Sequence, residues 1–286
     1  HELVSIVSEG ALLLDNGCVC CAIRGDLKEA LRDLLSKRQS GGIPFFRRVV
    51  IETSGLADPA PIAYTLLTEA VLQHHFRLGG IITTVDAVNG TAQLRHFPEP
   101  VKQVAMADRL IVTKADLASD DEQLVLASEL LRLNQSAPII RVAAGEVQPS
   151  SLLIDDLYDE KGRHREVKQW LRAAVGDDAL VHEHADQVQS FAVPYEEPLD
   201  WTAFGIWMSM LLHRHGNNVL RIKGLLNVAG VSTPVLINGV QHIVHPPSHL
   251  PDWPNENRQS RIIFIVRDMD QDQIKRSLMA FNRLAN

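Results

Sequence analysis

Arg109-Leu110-Ile111-Val112-Thr113-Lys114-Ala115-Asp116 passes from an aliphatic stretch directly into a lysine and an aspartate. A short apolar run bounded by polar residues reads as a buried strand, and its far end then presents Lys114 and Asp116. The pattern recurs on either side. Residues 47–51 (Arg-Arg-Val-Val-Ile) read as a buried strand ending at Glu52, residues 80–85 as one ending at Asp86, and residues 139–142 as another. Helical spacing fills the gaps. It is found over 26–38, where Asp26 can serve as N-cap and Leu27, Ala30, Leu31, Leu34 and Leu35 share a face. It returns after Pro59 and Pro61 to about residue 76, and over 101–107 and 120–133. Regular alternation of strand and helix predicts an α/β domain, a parallel sheet flanked by helices, with ligands at the carboxyl ends of the strands. Glu52, Asp86, Lys114 and Asp116 all fall at such ends.

Beyond residue 150 the texture changes. Asp155-Asp156, Asp159-Glu160-Lys161 and His182-Glu183-His184 are polar and irregular apart from a helical stretch at 165–174, so residues 151–188 read as a linker. Residues 189–286 then alternate differently. A strand (189–193) and a helix (201–213) precede short β-like runs at 219–223, 225–228, 235–238, 240–244 and 261–266, and a helix closes the chain at 271–284. This predicts a smaller α+β domain, an antiparallel sheet with helices on one face. The expected organisation is 1–150, 151–188 and 189–286.

With 286 residues, 45% of them hydrophobic, the chain can bury a large core and has room for two domains. Its 28 basic residues are outnumbered by 35 acidic ones, giving a net charge of −7. That leaves no electrostatic footprint for nucleic acid or an anionic membrane surface, and no apolar run approaches the roughly 18 residues a membrane span needs.

The three cysteines are Cys18, Cys20 and Cys21, in Asn16-Gly17-Cys18-Val19-Cys20-Cys21. A disulfide among them would close almost no loop and would be strained. None is left for long-range bridges, so a reducing, cytoplasmic setting is expected. Thiolates this close favour a thiophilic ion such as Zn2+ or Co2+. Cys18 and Cys20 make the better pair, because adjacent Cys20 and Cys21 bind one tetrahedral ion only with strain. A redox pair is the competing chemistry. Further ligands must come from elsewhere. Histidines are available at 74/75, 182/184, 213/215 and 242/245/249, although surface or interdomain roles explain each of these groups as well.

Two other segments carry chemistry. In Thr113-Lys114-Ala115-Asp116 the carboxylate can accept hydrogen bonds from the N1–H and exocyclic amine of guanine, while the lysine stem packs along the base. A solvated turn would give the same residues. In Glu52-Thr53-Ser54-Gly55-Leu56-Ala57-Asp58-Pro59, a strand-end carboxylate can hold Mg2+ through water or orient an attacking water, and Gly55 offers a backbone N–H to a γ-phosphate. The structural reading of that segment is a turn in which Asp58-Pro59 caps the next helix.

These motifs occur in one order, together with Arg24-Gly25-Asp26-Leu27, Val85-Asp86-Ala87, Ala107-Asp108-Arg109 and Leu220-Arg221-Ile222-Lys223-Gly224. In that order the chain resembles the CobW branch of the CobW/HypB/UreG class of P-loop GTPases over nearly its whole length. The resemblance implies a GTPase domain followed by a CobW C-terminal domain. It implies metal thiolates at Cys18 and Cys20 with Cys21 completing the motif, a Walker B-type Glu52 and a switch glycine at Gly55. The guanine-reading set would be Thr113, Lys114 and Asp116, with Thr113 standing where many GTPases have Asn.

Such proteins use GTP and Mg2+ and pass a metal ion to a client metalloprotein, and the C-terminal domain would serve client recognition or self-association. A non-catalytic zinc-binding or zinc-buffering protein with a vestigial nucleotide fold is the alternative, and a redox sensor a third. The family's Gly-rich P-loop ending in Gly-Lys-Thr/Ser has no counterpart in these residues, so the parallel sheet is expected to be N-terminally incomplete. About 60 further residues are expected ahead of His1, and without the loop's phosphate nest GTP hydrolysis by these residues alone should be weak or absent.

Overall fold

The computed structural model describes residues 19–152, 167, 188–254 and 256–285. By its contacts the chain separates into two compact units, residues 1–78 and 79–286.

In the first unit, α1 (Val19–Gln39) packs through Leu27 and Leu31 on Leu72 of α3 (Ala70–His75), with α2 (Ala60–Thr68) between them in sequence. Among the described residues the helix already runs from Val19, eight residues before the start at Leu27 that an Asp26 N-cap predicts. Nothing in Val19-Cys20-Cys21-Ala22-Ile23-Arg24 breaks a helix, and a single interior Gly25 costs only about 1 kcal/mol, so the turn signal at Asp26 is overridden. The expected helix to about residue 76 is two helices, separated at Glu69, whose backbone is extended. A larger departure is residues 47–51, which form no strand; Val50 is 79% exposed and Glu52 is exposed. A β-strand is stable only against a neighbour that takes up its backbone hydrogen bonds. Among the described residues no strand pairs with this segment.

The second unit contains both sheets. The strands β1 (Ile82–Asp86), β2 (Arg109–Thr113) and β3 (Ile139–Arg141) form a parallel sheet in that order, with Asp86 in register with Thr113. Helices α4 (Gly90–His96), α5 (Pro98–Met106) and α6 (Asp120–Leu133) connect and cover it. The start of α6 is locally encoded. The Ser119 hydroxyl accepts the Glu122 N–H while the Glu122 carboxylate accepts the Ser119 N–H, a capping box. Leu126, Leu130 and Leu133, one helical face, are fully buried. Gly90 is required where α4 starts, since a Cβ there would come 2.7 Å from Val85 Cγ1. A single turn, α7 (Pro149–Leu152), follows β3.

The C-terminal sheet is antiparallel, in the order β4 (Val188–Tyr195), β9 (Ser260–Arg267), β5 (Val219–Leu226), β6 (Val235–Val240), β7 (Ile243–Val244), with β8 (Ser248–His249) also on β6. The runs expected at 219–223 and 225–228 are one strand. Gly224 does not interrupt it but lets β6 come close, because a Cβ there would meet the Ile237 side chain at 2.5 Å. The run expected at 240–244 is a hairpin, turned at Gln241, whose φ is 49°.

One face of this sheet carries α8 (Trp201–His215) and α9 (Gln271–Ala285), with Phe191, Trp207, Ile222 and Phe264 between them. The opposite face is not left to solvent: Val188, Leu220 and Ile265 join the core built by Val104, Leu110, Leu126 and Leu130. The two sheets thus share a core.

That junction also holds a buried ion cluster. Asp108, at the entrance to β2, accepts from Arg221 Nη2, from Lys223 Nζ at 3.1 Å, and from the Ile81 N–H at 3.0 Å. Arg221 is 1% exposed. Burial raises the Asp108 carboxyl, but Arg221, Lys223 and the Ile81 N–H outweigh it and hold the pKa at about 2. His245, beside them, is pushed down to about 4 by its burial and by Arg221, against a weaker pull from Asp108. Asn134 fixes the approach to Asp108: its amide donates to the carbonyls of Val104, Ala105 and Ala107 while its oxygen accepts from Ser136.

Candidate functional site: the carboxyl end of the parallel sheet

β1 and β2 run side by side, so the residues that follow them emerge together. Lys114 leaves β2 in the left-handed region (φ 56°) and starts a single 3-10 turn, Ala115–Leu117, that carries Asp116. The Gln123 side-chain amide pins that turn by donating to the carbonyls of Ala115 and Ala118. Asp116 Oδ1 accepts the N–H of Ala144, 3.2 Å away in the loop after β3. Ala144 is itself left-handed (φ 49°), as is Gly145. Two non-glycine residues in a sparsely populated region flank one carboxylate, and strain of this kind persists where the surroundings impose it, commonly at ligand sites.

Asp86 closes the other side. Its Oδ1 accepts the N–H of Val88 (2.8 Å) and Asn89 (3.0 Å), and its Oδ2 lies 2.6 Å from Lys114 Nζ. Partial burial raises its pKa, but the lysine and the two backbone donors prevail and bring it to about 2. Thr113 does not project a free hydroxyl into this edge; its Oγ1 donates to the Val85 carbonyl, and the Ala87 N–H donates to the Thr113 carbonyl. The arrangement is an exposed ledge with a fixed carboxylate at Asp116 and a tethered ammonium at Lys114, suited to a planar ligand with adjacent N–H donors. The Gln123 brace and the Ala144 loop were not read as site residues from sequence. The position of Ala143-Ala144-Gly145 directly after a strand was the signal available for the loop.

Glu52, Gly55, Cys20 and Cys21 belong to the first unit. Glu52 and Gly55 lie on an exposed loop, tightened by a hydrogen bond from the Ala57 N–H to the Ser54 carbonyl. Asp58 Oδ1 accepts the Ala60 N–H at 2.9 Å where α2 begins, so the capping expected of Asp58-Pro59 is present. Cys20 and Cys21 fall on the first turn of α1. Cys18 lies outside the described residues, as do His182 and His184.

Among the described residues, no three His, Cys, Asp or Glu side chains converge as a metal site. His242 is bonded to Asn217 and to the Leu212 carbonyl, and His249 to Thr233. Among the same residues no helix is long and apolar enough to cross a membrane.

Comparison with known proteins places these features. Residues 1–141 match the model of the CobW/HypB/UreG nucleotide-binding domain, and residues 188–282 the cobalamin synthesis protein CobW C-terminal domain. The zinc chaperone YjiA of Escherichia coli is 32% identical over 92% of this chain and 79% of its own length.

The chain belongs to the CobW family.

Within that family, the zinc chaperone CobW of a Sinorhizobium species is 24% identical over 93% of the chain and 79% of its own length. The crystal structure of Zn(II)-bound YjiA GTPase from E. coli superposes with a TM-score of 0.71 at 30% identity, covering 89% of this chain and 76% of that one. The nucleotide-binding model ends at Arg141, the last residue of β3, so the three parallel strands belong to the CobW nucleotide-binding domain.

Proposed function

We propose that the protein is a GTP-hydrolysing metal chaperone that binds zinc and hands it to a client metalloprotein. The observation that carries this reading is the Lys114–Asp116 ledge at the carboxyl end of β2, in a chain whose relatives are zinc chaperones and zinc-bound GTPases. Asp116 would accept the guanine N1–H and exocyclic amine, and the Lys114 stem would lie along the base. Thr113 would serve by holding the two strand ends together.

Cys18, Cys20 and Cys21 would supply the thiolates for the ion, with Co2+ the second candidate after Zn2+. Glu52 is the carboxylate that would hold Mg2+ through water, and Gly55 the backbone that would follow the γ-phosphate. Residues 1–150 would form the nucleotide-binding domain, 151–188 a linker, and 189–286 the domain for client recognition or self-association. The protein would work in the cytoplasm, where thiolates stay reduced, with no nucleic-acid or membrane partner.

Nucleotide selectivity tests the reading. The full-length protein should bind GDP in preference to ADP. Asp116→Asn should weaken GDP at least about 100-fold, since one hydrogen bond loses its charged acceptor and the other is replaced by an amide N–H facing a guanine donor. Equal affinity for the two nucleotides would remove guanine recognition and favour a zinc-buffering protein with a vestigial nucleotide fold.

A further inference from the structure

We propose that Asp86 is the residue that positions Lys114 for nucleotide recognition, holding the lysine stem in place as one side of the base site before any ligand arrives. The inference rests on the guanine reading of the ledge and adds to it a residue outside the Thr-Lys-Ala-Asp motif.

Four observations support it. The β1–β2 register sets Asp86 opposite Thr113, so the next residue, Lys114, is delivered alongside the carboxylate. The carboxylate is anchored: one oxygen is occupied by the backbone N–H groups of Val88 and Asn89, which leaves the other directed at Lys114 Nζ, 2.6 Å away. The pair is asymmetric. The Asp86 side chain is 16% exposed and that of Lys114 56%, so the acid is the fixed post and the lysine the tethered arm. Finally, Lys114 sits in a left-handed backbone conformation, immediately after the strand ends that Thr113 and Ala87 stitch together.

An untethered lysine carries a large rotamer entropy, much of which a ligand would have to remove on binding. Fixing the ammonium at Asp86 removes part of that freedom in advance and leaves the methylenes as an apolar edge for a ring to rest against. Asp116 is held in the same manner by the Ala144 N–H, so each charged member of the motif has a backbone-anchored partner.

An ordinary surface ion pair would leave ligand affinity untouched, which separates the two roles experimentally. Asp86→Asn keeps an oxygen to accept from Val88 and Asn89 but removes the charge that holds the lysine. Binding of a fluorescent GDP analogue to the full-length protein should weaken about 5- to 10-fold in Asp86→Asn, the lost pre-ordering of one long side chain. The urea unfolding midpoint should stay unchanged. In a Lys114→Met background, which keeps the stem and removes the ammonium, Asp86→Asn should have no further effect, and Asp86→Glu should recover part of the affinity in the Lys114 protein. Wild-type affinity in Asp86→Asn, or independent multiplying effects of the two substitutions, overturns the inference. If Asp116→Asn abolishes guanine preference while Asp86→Asn does not weaken binding, the inference falls and the guanine reading stands. If the wild-type protein shows no preference for GDP over ADP, both fall.

Discussion

β2 has an aspartate paired with basic side chains at each end. At its entrance Asp108 meets Arg221 and Lys223 where the two sheets share a core, and Arg221 is 1% exposed. At its exit a partly buried Asp86 meets Lys114, whose side chain is 56% exposed. Both carboxyls are lowered to about 2, yet the two pairs do different work. Removing one partner of a buried pair strands a charge in a low-dielectric core, whereas an exposed pair adds little to stability because water replaces either member. The buried pair therefore joins the nucleotide-binding domain to the C-terminal sheet, and the exposed one is free to serve recognition.

Asp108→Ala breaks this contrast most severely. It leaves the Arg221 guanidinium buried without its carboxylate and should cost about 3–5 kcal/mol of unfolding free energy, read from urea titration. A loss under about 1 kcal/mol would mean that the cluster is solvated and the two ends of β2 are alike.

The same junction should respond to pH before the exit does. His245 titrates near 6.5 in an unfolded chain and at about 4 in the fold. As pH falls from 6.5 to 4 the unfolded state takes up a proton that the folded state refuses. Stability should therefore drop across that window, by an amount on the order of 3 kcal/mol. Asp108 works in the opposite sense of ionisation: its depressed pKa stabilises the fold above about 3.8, and that contribution is lost only between 3.8 and about 2. Unfolding midpoints measured from pH 7 to 4 should flatten in His245→Gln; an unchanged slope would place the sensitivity elsewhere. The smallest effect is expected at the exit. Lys114→Met should change unfolding free energy by less than about 0.5 kcal/mol, and a larger loss would show that the exposed pair also braces the fold.

How much of this was readable in sequence depends on whether the signal is local. The helix expected over 120–133 is observed at those bounds, and Ser119, Glu122 and a leucine-lined face specify it within a few residues. β2 and its polar exit were equally plain. Residues 47–51 have the composition of a buried strand but not the structure, because a strand is defined by its neighbour and no described strand lies beside them. Gly224 looked like a break because its reason for being glycine, the Ile237 side chain, lies on another strand. Asp108 and Arg221 were both visible as motif residues, but 113 positions separate them, and no periodicity spans that distance. At the site, Lys114 and Asp116 announced themselves by type and position. Gln123 and Ala144 did not, since what they contribute is a brace and a backbone N–H.

If the protein is the GTP-hydrolysing zinc chaperone proposed above, guanine nucleotide and metal should act on one another through it. The direct measurement is the zinc affinity of the full-length protein with and without a non-hydrolysable GTP analogue. The account predicts tighter zinc binding with the analogue in the wild type, and no such difference when Cys18 and Cys20 are both replaced by Ser or when Asp116 is replaced by Asn. Equal zinc affinity in the presence and absence of the analogue would contradict it.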